Sequence, residues 1–184
     1  MMRFTLLILC INLFPFIIID QERDVLISTK GTAKFRSEAP LELIQASSDQ
    51  LRGAIDLNDH TFAFRLQINS FDGFNSQLQK EHFRENYMET SRFPEAIFAG
   101  KIIEKIQFTE NGKHQVRAKG FLDIHGIKQE RIIKCSIEIE GNRILVKSDF
   151  SVFLKDHNID IPKIVYQKIA EEILVGVEAQ FEMQ

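Results

Sequence analysis

Histidine, cysteine and paired carboxylates are where catalysis or metal binding would begin, and in this chain they are scattered. The histidines are His60, His82, His114, His125 and His157. No two stand in a His-x-x-x-His relation, and none is paired with a cysteine at the spacing of a zinc site. The chain has no Gly-x-Ser-x-Gly elbow and no glycine-rich phosphate loop. The sequence therefore names no catalytic residue, no metal ligand and no cofactor. His82 and His125 are the pair to follow. Beside a carboxylate in a shared cavity they would form an acid–base or metal site. If each instead bonds a turn or a helix end, both are structural. Cys10 and Cys135 do not make a disulfide framework. Cys135 sits in a β-like run, where a lone thiol acts as a small hydrophobe.

The elements that would position these groups are mostly strands. His60, Phe62, Phe64, Leu66 and Ile68 alternate with Thr61, Ala63, Arg65, Gln67 and Asn69, a period of two with one face apolar. The same alternation runs through Val116 to Ile124, Ile133 to Ile139, Ile144 to Val152 and Ile173 to Met183. Shorter strands are expected at Val25–Phe35, Leu41–Ile44 and Leu51–Leu57. Asn111-Gly112, His125-Gly126 and Gly141-Asn142 are hairpin signals. One segment breaks the pattern. Leu78, Phe83, Tyr87 and Met88 form an apolar stripe that predicts a helix over Ser76–Thr90. Pro94 then pushes Phe93 away from the α region, and a strand is expected from Ala96 towards Phe108. A short helix or irregular turn is expected over Lys163–Glu172. About eight strands, each apolar on one face and joined by hairpins, specify a sandwich or a closed barrel, and the pattern does not separate the two.

A chain of 184 residues is long enough for one domain with a buried core. Its net charge of −3 offers no basic footprint for nucleic acid. It carries 16 Phe, two Tyr and no Trp. The phenylalanines either fill a core or line an apolar cavity, and composition does not separate these. Met1-Met2-Arg3 followed by the apolar run Phe4 to Ile19 and then Asp20-Gln21-Glu22 has the form of a secretory signal. It is short for a spanning helix, which needs about 20 residues. Residues 1–19 are therefore expected to be a signal peptide, with an uncleaved anchor as the alternative. Export to the periplasm or the exterior follows, with no stable membrane span in the mature chain.

Read in order, several segments resemble one family. His82-Phe83, Tyr87-Met88-Glu89 and Phe93-Pro94-x-Ala96-x-Phe98-x-Gly100 form the most specific run. Gly53-Ala54-Ile55-Asp56 and Phe62-Ala63-Phe64 precede it. Gly120-Phe121-Leu122-Asp123-Ile124-His125-Gly126 and Asp156-His157-Asn158-Ile159-Asp160-Ile161-Pro162 follow. The set is similar to the signature of the YceI-like family of secreted, lipid-binding β-barrels and covers residues 25–184. His157-Asn158 departs from it, standing where the family often has an aromatic residue followed by glycine, which puts that local turn in question.

The resemblance implies a mainly all-β fold, a single lipocalin-like antiparallel barrel of about eight strands with the Ser76–Thr90 helix beside or across one end. It also implies a non-enzymatic protein that holds a long-chain lipid or polyisoprenoid inside the barrel. Phe62, Phe64, Leu66, Phe83, Tyr87, Phe98, Leu122, Ile124, Phe150 and Val152 would then line the cavity. Arg65, Arg84, Arg92, His82 and His125 are the candidates for its head group. Each buried CH₂ contributes about 0.8 kcal/mol, and association costs about 4–15 kcal/mol. A ligand held by apolar burial therefore needs a long chain. Two alternatives stay open: an enzyme with an acid–base or metal site near His82 and His125, and an interaction scaffold whose barrel is solid. The oligomeric state is open, with a homodimer as one option.

Overall fold

The computed structural model describes residues 24–183. The expected signal segment 1–19 and Cys10 lie outside them. The strands are β1 (Val25–Glu38), β2 (Leu43–Ser48), β3 (Arg52–Asp56), β4 (Thr61–Gln67), β5 (Glu95–Ile102), β6 (Gly112–Ile124), β7 (Ile127–Glu140), β8 (Arg143–Phe153) and β9 (Glu172–Glu182). They obey the period of two that the sequence shows. In β7, Ile133, Cys135, Ile137 and Ile139 are buried, whereas the intervening Ile132 and Lys134 are exposed.

Neighbouring strands are antiparallel, and the order β1-β3-β4-β5-β6-β7-β8-β9 closes on itself where β9 pairs with β1 from Ser28 to Ser37. Eight strands thus form a closed barrel, and the choice between sandwich and barrel falls to the barrel. β2 is an extra strand. The 14-residue β1 shares its second edge, giving Val25–Ile27 to β3 and Ala33–Glu38 to β2. Where the chain crosses from β2 to β3 it presses on Gly31. A Cβ there would lie 2.2 Å from the Leu51 carbonyl oxygen, so only glycine fits.

Three local expectations change, while the short helix or irregular turn expected over Lys163–Glu172 agrees with the structure. The helix predicted over Ser76–Thr90 is regular α only in α1 (Gln77–His82). Ser76 caps it, accepting the Gln79 N–H at 3.1 Å, while the Gln79 side chain accepts the Asn75 N–H at 3.0 Å. Phe83–Tyr87 then widens into a π turn, with the Met88 N–H donating to the Phe83 carbonyl at 2.9 Å. The widening turns Phe83, Tyr87 and Met88 to the interior together. Asn111-Gly112 is not a two-residue hairpin. β5 ends at Ile102, not at Phe108, and a longer connection brings the chain back to start β6 at Gly112. Phe108 folds inward on that connection and is buried. The turn over 163–172 is a 3₁₀ turn at Lys163–Val165, followed by irregular chain. β2 begins at Leu43 and runs through Ser48, past the Ile44 where the strand expected over Leu41–Ile44 ends.

Candidate functional site

The barrel interior is divided along its axis. At one end Phe181, Ile139, Ile144, Val116 and Phe108 are at most 5% exposed and fill the barrel. Towards the other end the same inward positions stop meeting in the middle. They enclose a cavity of about 590 Å³, within the range of about 300–1,000 Å³ usual for ligand pockets. Ile137, Val146, Phe150 and Val152 from β7 and β8, and Val175 and Val177 from β9, form one wall. Phe62, Phe64 and Leu66 of β4, Ala96 and Phe98 of β5, and Leu122 and Ile124 of β6 form the opposite one. Phe35 of β1 packs with Phe71, Phe74 and Phe83, stacked on Phe83 at 5.3 Å, and this cluster closes the side next to β2.

The walls hold little unused polarity. Ser148 Oγ donates to the Lys134 carbonyl at 2.7 Å, and Ser37 Oγ accepts the Ala170 N–H at 2.8 Å. Burial pushes the Cys135 thiol up to about 11, so it stays protonated. Tyr87 also lines the cavity, and burial raises its phenol above the usual value, keeping it a neutral donor. Among the described residues, the charged and imidazole side chains that reach the cavity are Glu42, Arg65, His82 and Lys168, all of them partly or largely exposed. Glu42 accepts a hydrogen bond from Gln79 of α1 at 2.9 Å. The interior is therefore apolar, with ionic groups at its open end.

All of the wall residues expected from the sequence line this cavity. The head-group candidates separate. Arg65 and His82 are at the mouth, and Arg65 lies 3.7 Å from Glu95. Arg84 is turned away to donate to the Asn69 carbonyl. Arg92 pairs with Glu89 at 2.9 Å and lies over the Phe93 ring at 5.0 Å. His125 is outside the cavity wall, so it shares no site with His82. The physical reason is that each of these three already has a local partner. The turn expected over Lys163–Glu172 belongs to the strap Leu154–Glu171 between β8 and β9, and its Val165, Lys168 and Ile169, which sequence reasoning did not place at the site, line the mouth. The four-residue spacing of Val165 and Ile169 was the only signal for it.

His125 belongs to a corner beside the mouth where three segments meet. Its Nε2 lies 2.9 Å from Glu89 Oε2 and its Nδ1 lies 3.0 Å from the His157 carbonyl oxygen. The two ring nitrogens thus tie Glu89 and the strap residue His157 to the same hairpin turn. The Arg92 hydrogen bond, with that of His125, holds the Glu89 carboxyl below the usual range. Phe93 packs on the His125 ring at 4.5 Å and fills the space over Gly126, where a Cβ would meet its ring at 2.6 Å. His125 and Gly126 both have positive φ, +54° and +72°, the mark of a type I′ hairpin. His157 is fully buried, with Nδ1 about 3.1–3.2 Å from the Ile127 and Ile124 carbonyls. Burial lowers its imidazole pKa, so Nδ1–H donates from a neutral ring. Among the described residues no group of three or more His, Cys, Asp or Glu is placed to hold a metal ion.

The sequence matches the model of the YceI-like domain over residues 27–181. The chain belongs to the YceI-like family. Its fold is also that of several solved structures. A polyisoprenoid-binding domain from Saccharophagus degradans, implicated in plant cell wall breakdown, superposes with a TM-score of 0.74 at 15% identity, covering 89% of this chain and 100% of that one. BcnA of Burkholderia cenocepacia gives 0.68 at 11% identity, covering 82% and 95%. A YCEI protein of Campylobacter jejuni gives 0.55 at 15% identity, covering 71% and 78%. No curated protein matches the sequence.

In this YceI-like barrel, much of the signature lies at the corner rather than in the cavity wall. Glu89 and Phe93, His125-Gly126, and His157-Asn158 come from three separate motifs and lock one another. Glu89, His125 and Asn158 each adopt a left-handed backbone, with φ of +42°, +54° and +54°. Such residues persist where the surroundings over-determine them. Asn158 answers the departure noted from the family pattern, because asparagine tolerates the left-handed conformation that glycine would take.

Proposed function

We propose that this protein binds a long apolar molecule, a polyisoprenoid or similar lipid, in the hollow half of the barrel and carries it through an exported aqueous compartment. The observation that carries this reading is the 590 Å³ cavity whose walls are apolar and whose ionic side chains stand only at its mouth. Such a site takes the tail inside and leaves the head group near Arg65, His82 and Lys168. The family, and the Saccharophagus domain described as polyisoprenoid-binding, support a binding protein rather than a catalyst. The hydrophobic effect supplies the affinity, at about 0.8 kcal/mol per buried CH₂, which favours a chain long enough to fill the cavity.

The test is native mass spectrometry of the protein purified from its exported fraction, followed by organic extraction and identification of the lipid. A stoichiometric long-chain lipid is the expected result. A clean unliganded mass, with no uptake of added polyprenyl or fatty-acyl lipids, would sink the reading. Recovery of the chain only from the cytoplasm would sink its exported part alone.

A further inference from the structure

The strap Leu154–Glu171 crosses the barrel mouth and leaves two large apolar side chains in solvent. Ile164 is 91% exposed and Tyr166 is 63% exposed. They are not alone there. Leu41, 66% exposed, is tied to the strap because its N–H donates to the Gln167 carbonyl at 2.9 Å. Leu78 of α1, 60% exposed, lies on the same mouth. Three chain segments thus present apolar tips around one opening. Single exposed hydrophobics are ordinary, but a group of them around a cavity entrance marks a contact surface. Lys155, Lys163 and Lys168 balance Asp156, Asp160 and Glu171 over the whole strap, but the stretch that bears the exposed tips is basic, and this points to the partner. Between Pro162 and Ala170 the strap carries Lys163 and Lys168 and no acidic residue; Asp160 precedes this stretch and Glu171 and Glu172 follow it.

We propose that this rim docks on a lipid bilayer bearing anionic head groups, with Ile164 and Tyr166 as the anchor. The proposal rests on the reading of the cavity as a lipid site. Apolar tips beside lysines suit the head-group region, where the tips reach the acyl boundary and ammonium groups meet phosphate. Tyrosine suits the same depth, with an apolar ring and a polar hydroxyl. The geometry also answers a physical problem of transfer. An apolar chain that leaves a membrane for a barrel is exposed to water unless the mouth touches the bilayer during the exchange.

The test uses the full chain in its exported form, so that wild type and variants share the same N-terminus. Partitioning onto phosphatidylcholine vesicles with and without phosphatidylglycerol is compared for wild type, the double variant Ile164→Ser/Tyr166→Ser, and Lys163→Gln. The double variant is expected to bind about tenfold more weakly to both kinds of vesicle. Lys163→Gln is expected to lose about fivefold on the anionic vesicles only. These side chains are not in the cavity wall, so uptake of a polyprenyl lipid in vesicle-free solution should be unchanged. Equal partitioning of wild type and double variant overturns the docking surface. So does a double variant that changes only the oligomeric state, which would make the rim a contact between copies. Vesicle binding that depends on Ile164 and Tyr166, in a protein that takes up no lipid, would retain the docking surface and overturn the cargo.

Discussion

The two ends of this barrel are built from the same strands with the same alternation, yet one is solid and the other hollow. At the closed end Phe181, Phe108, Ile139 and Ile144 are buried, with Phe181 packed edge-on against Phe64. At the open end Val152, Val175 and Val177 of β8 and β9 and Phe62, Phe64 and Phe98 of β4 and β5 line opposite walls of the cavity. An eight-stranded barrel is near the size at which its interior either fills or holds one small ligand. Which outcome occurs is decided level by level, by whether opposing side chains meet in the middle. The solid end supplies stability; the hollow end gives up part of it, because atoms lining a void lack dispersion partners on one side.

The largest expected effect is at the solid end. Phe181→Ala should cost about 3–5 kcal/mol, as burial followed by cavity formation does elsewhere. Phe150→Ala in the hollow half should cost less than half of that while weakening lipid uptake. Urea unfolding and lipid titration of both variants check this, and equal losses of stability would erase the division. Next, a saturating lipid should stabilise the fold by about 2.7 kcal/mol at one hundred times its Kd. Hydrogen exchange should slow first in the cavity-lining half of β8 and β9. Protection confined to the residues around Phe181 would place the ligand elsewhere.

Adding volume should separate the ends in the opposite sense. Val116→Phe overpacks the solid end and should cost about 1–3 kcal/mol. Val175→Phe occupies empty space, should leave thermal stability nearly unchanged, and should reduce lipid stoichiometry. A destabilised Val175→Phe with normal uptake would show that the hollow half is tightly packed.

The smallest effects concern the corner beside the mouth and depend on pH. Burial lowers the His157 pKa, so the unfolded chain takes up a proton near pH 6.5 that the folded chain resists. Its contribution is therefore complete above that pH and declines as the pH falls below it. Glu89 is held below its usual 4.5, chiefly by Arg92 and then by His125. Its contribution is complete above about 4.5 and is lost as the pH falls through the depressed value. Urea midpoints measured against pH should thus decline in two steps. Glu89→Gln should shrink the lower step, to which the lowered carboxyls of Asp72 and Glu104 also contribute, and His157→Gln should remove the upper one. An unchanged profile in both variants would show that the corner does not couple to folding.

Much of this architecture was legible in the chain. The period-two alternation names nearly every inward-facing residue, from Phe62 to Phe181, because a strand has only two faces and water is on one of them. The ordered motifs and the His125-Gly126 turn indicate the family for a related reason. They stand where backbone geometry restricts the choice of residue. The π turn at Phe83–Tyr87 was not legible, since it goes with tertiary packing, Phe83 against Phe35 and Phe71 and Tyr87 and Met88 turned to the core. The separation of Arg65 and His82 from Arg84, Arg92 and His125 was not legible either, because it depends on which local partner each finds. Nor was the position of the strap at the mouth, since its residues carry no strong periodicity.

What the sequence determined by itself is which side of each strand faces inward, since hydrophobic patterning is local. Only the tertiary structure decided that the inside is half empty. A void is a property of distances across the barrel, and no residue's own sequence position encodes how far away its opposite wall stands.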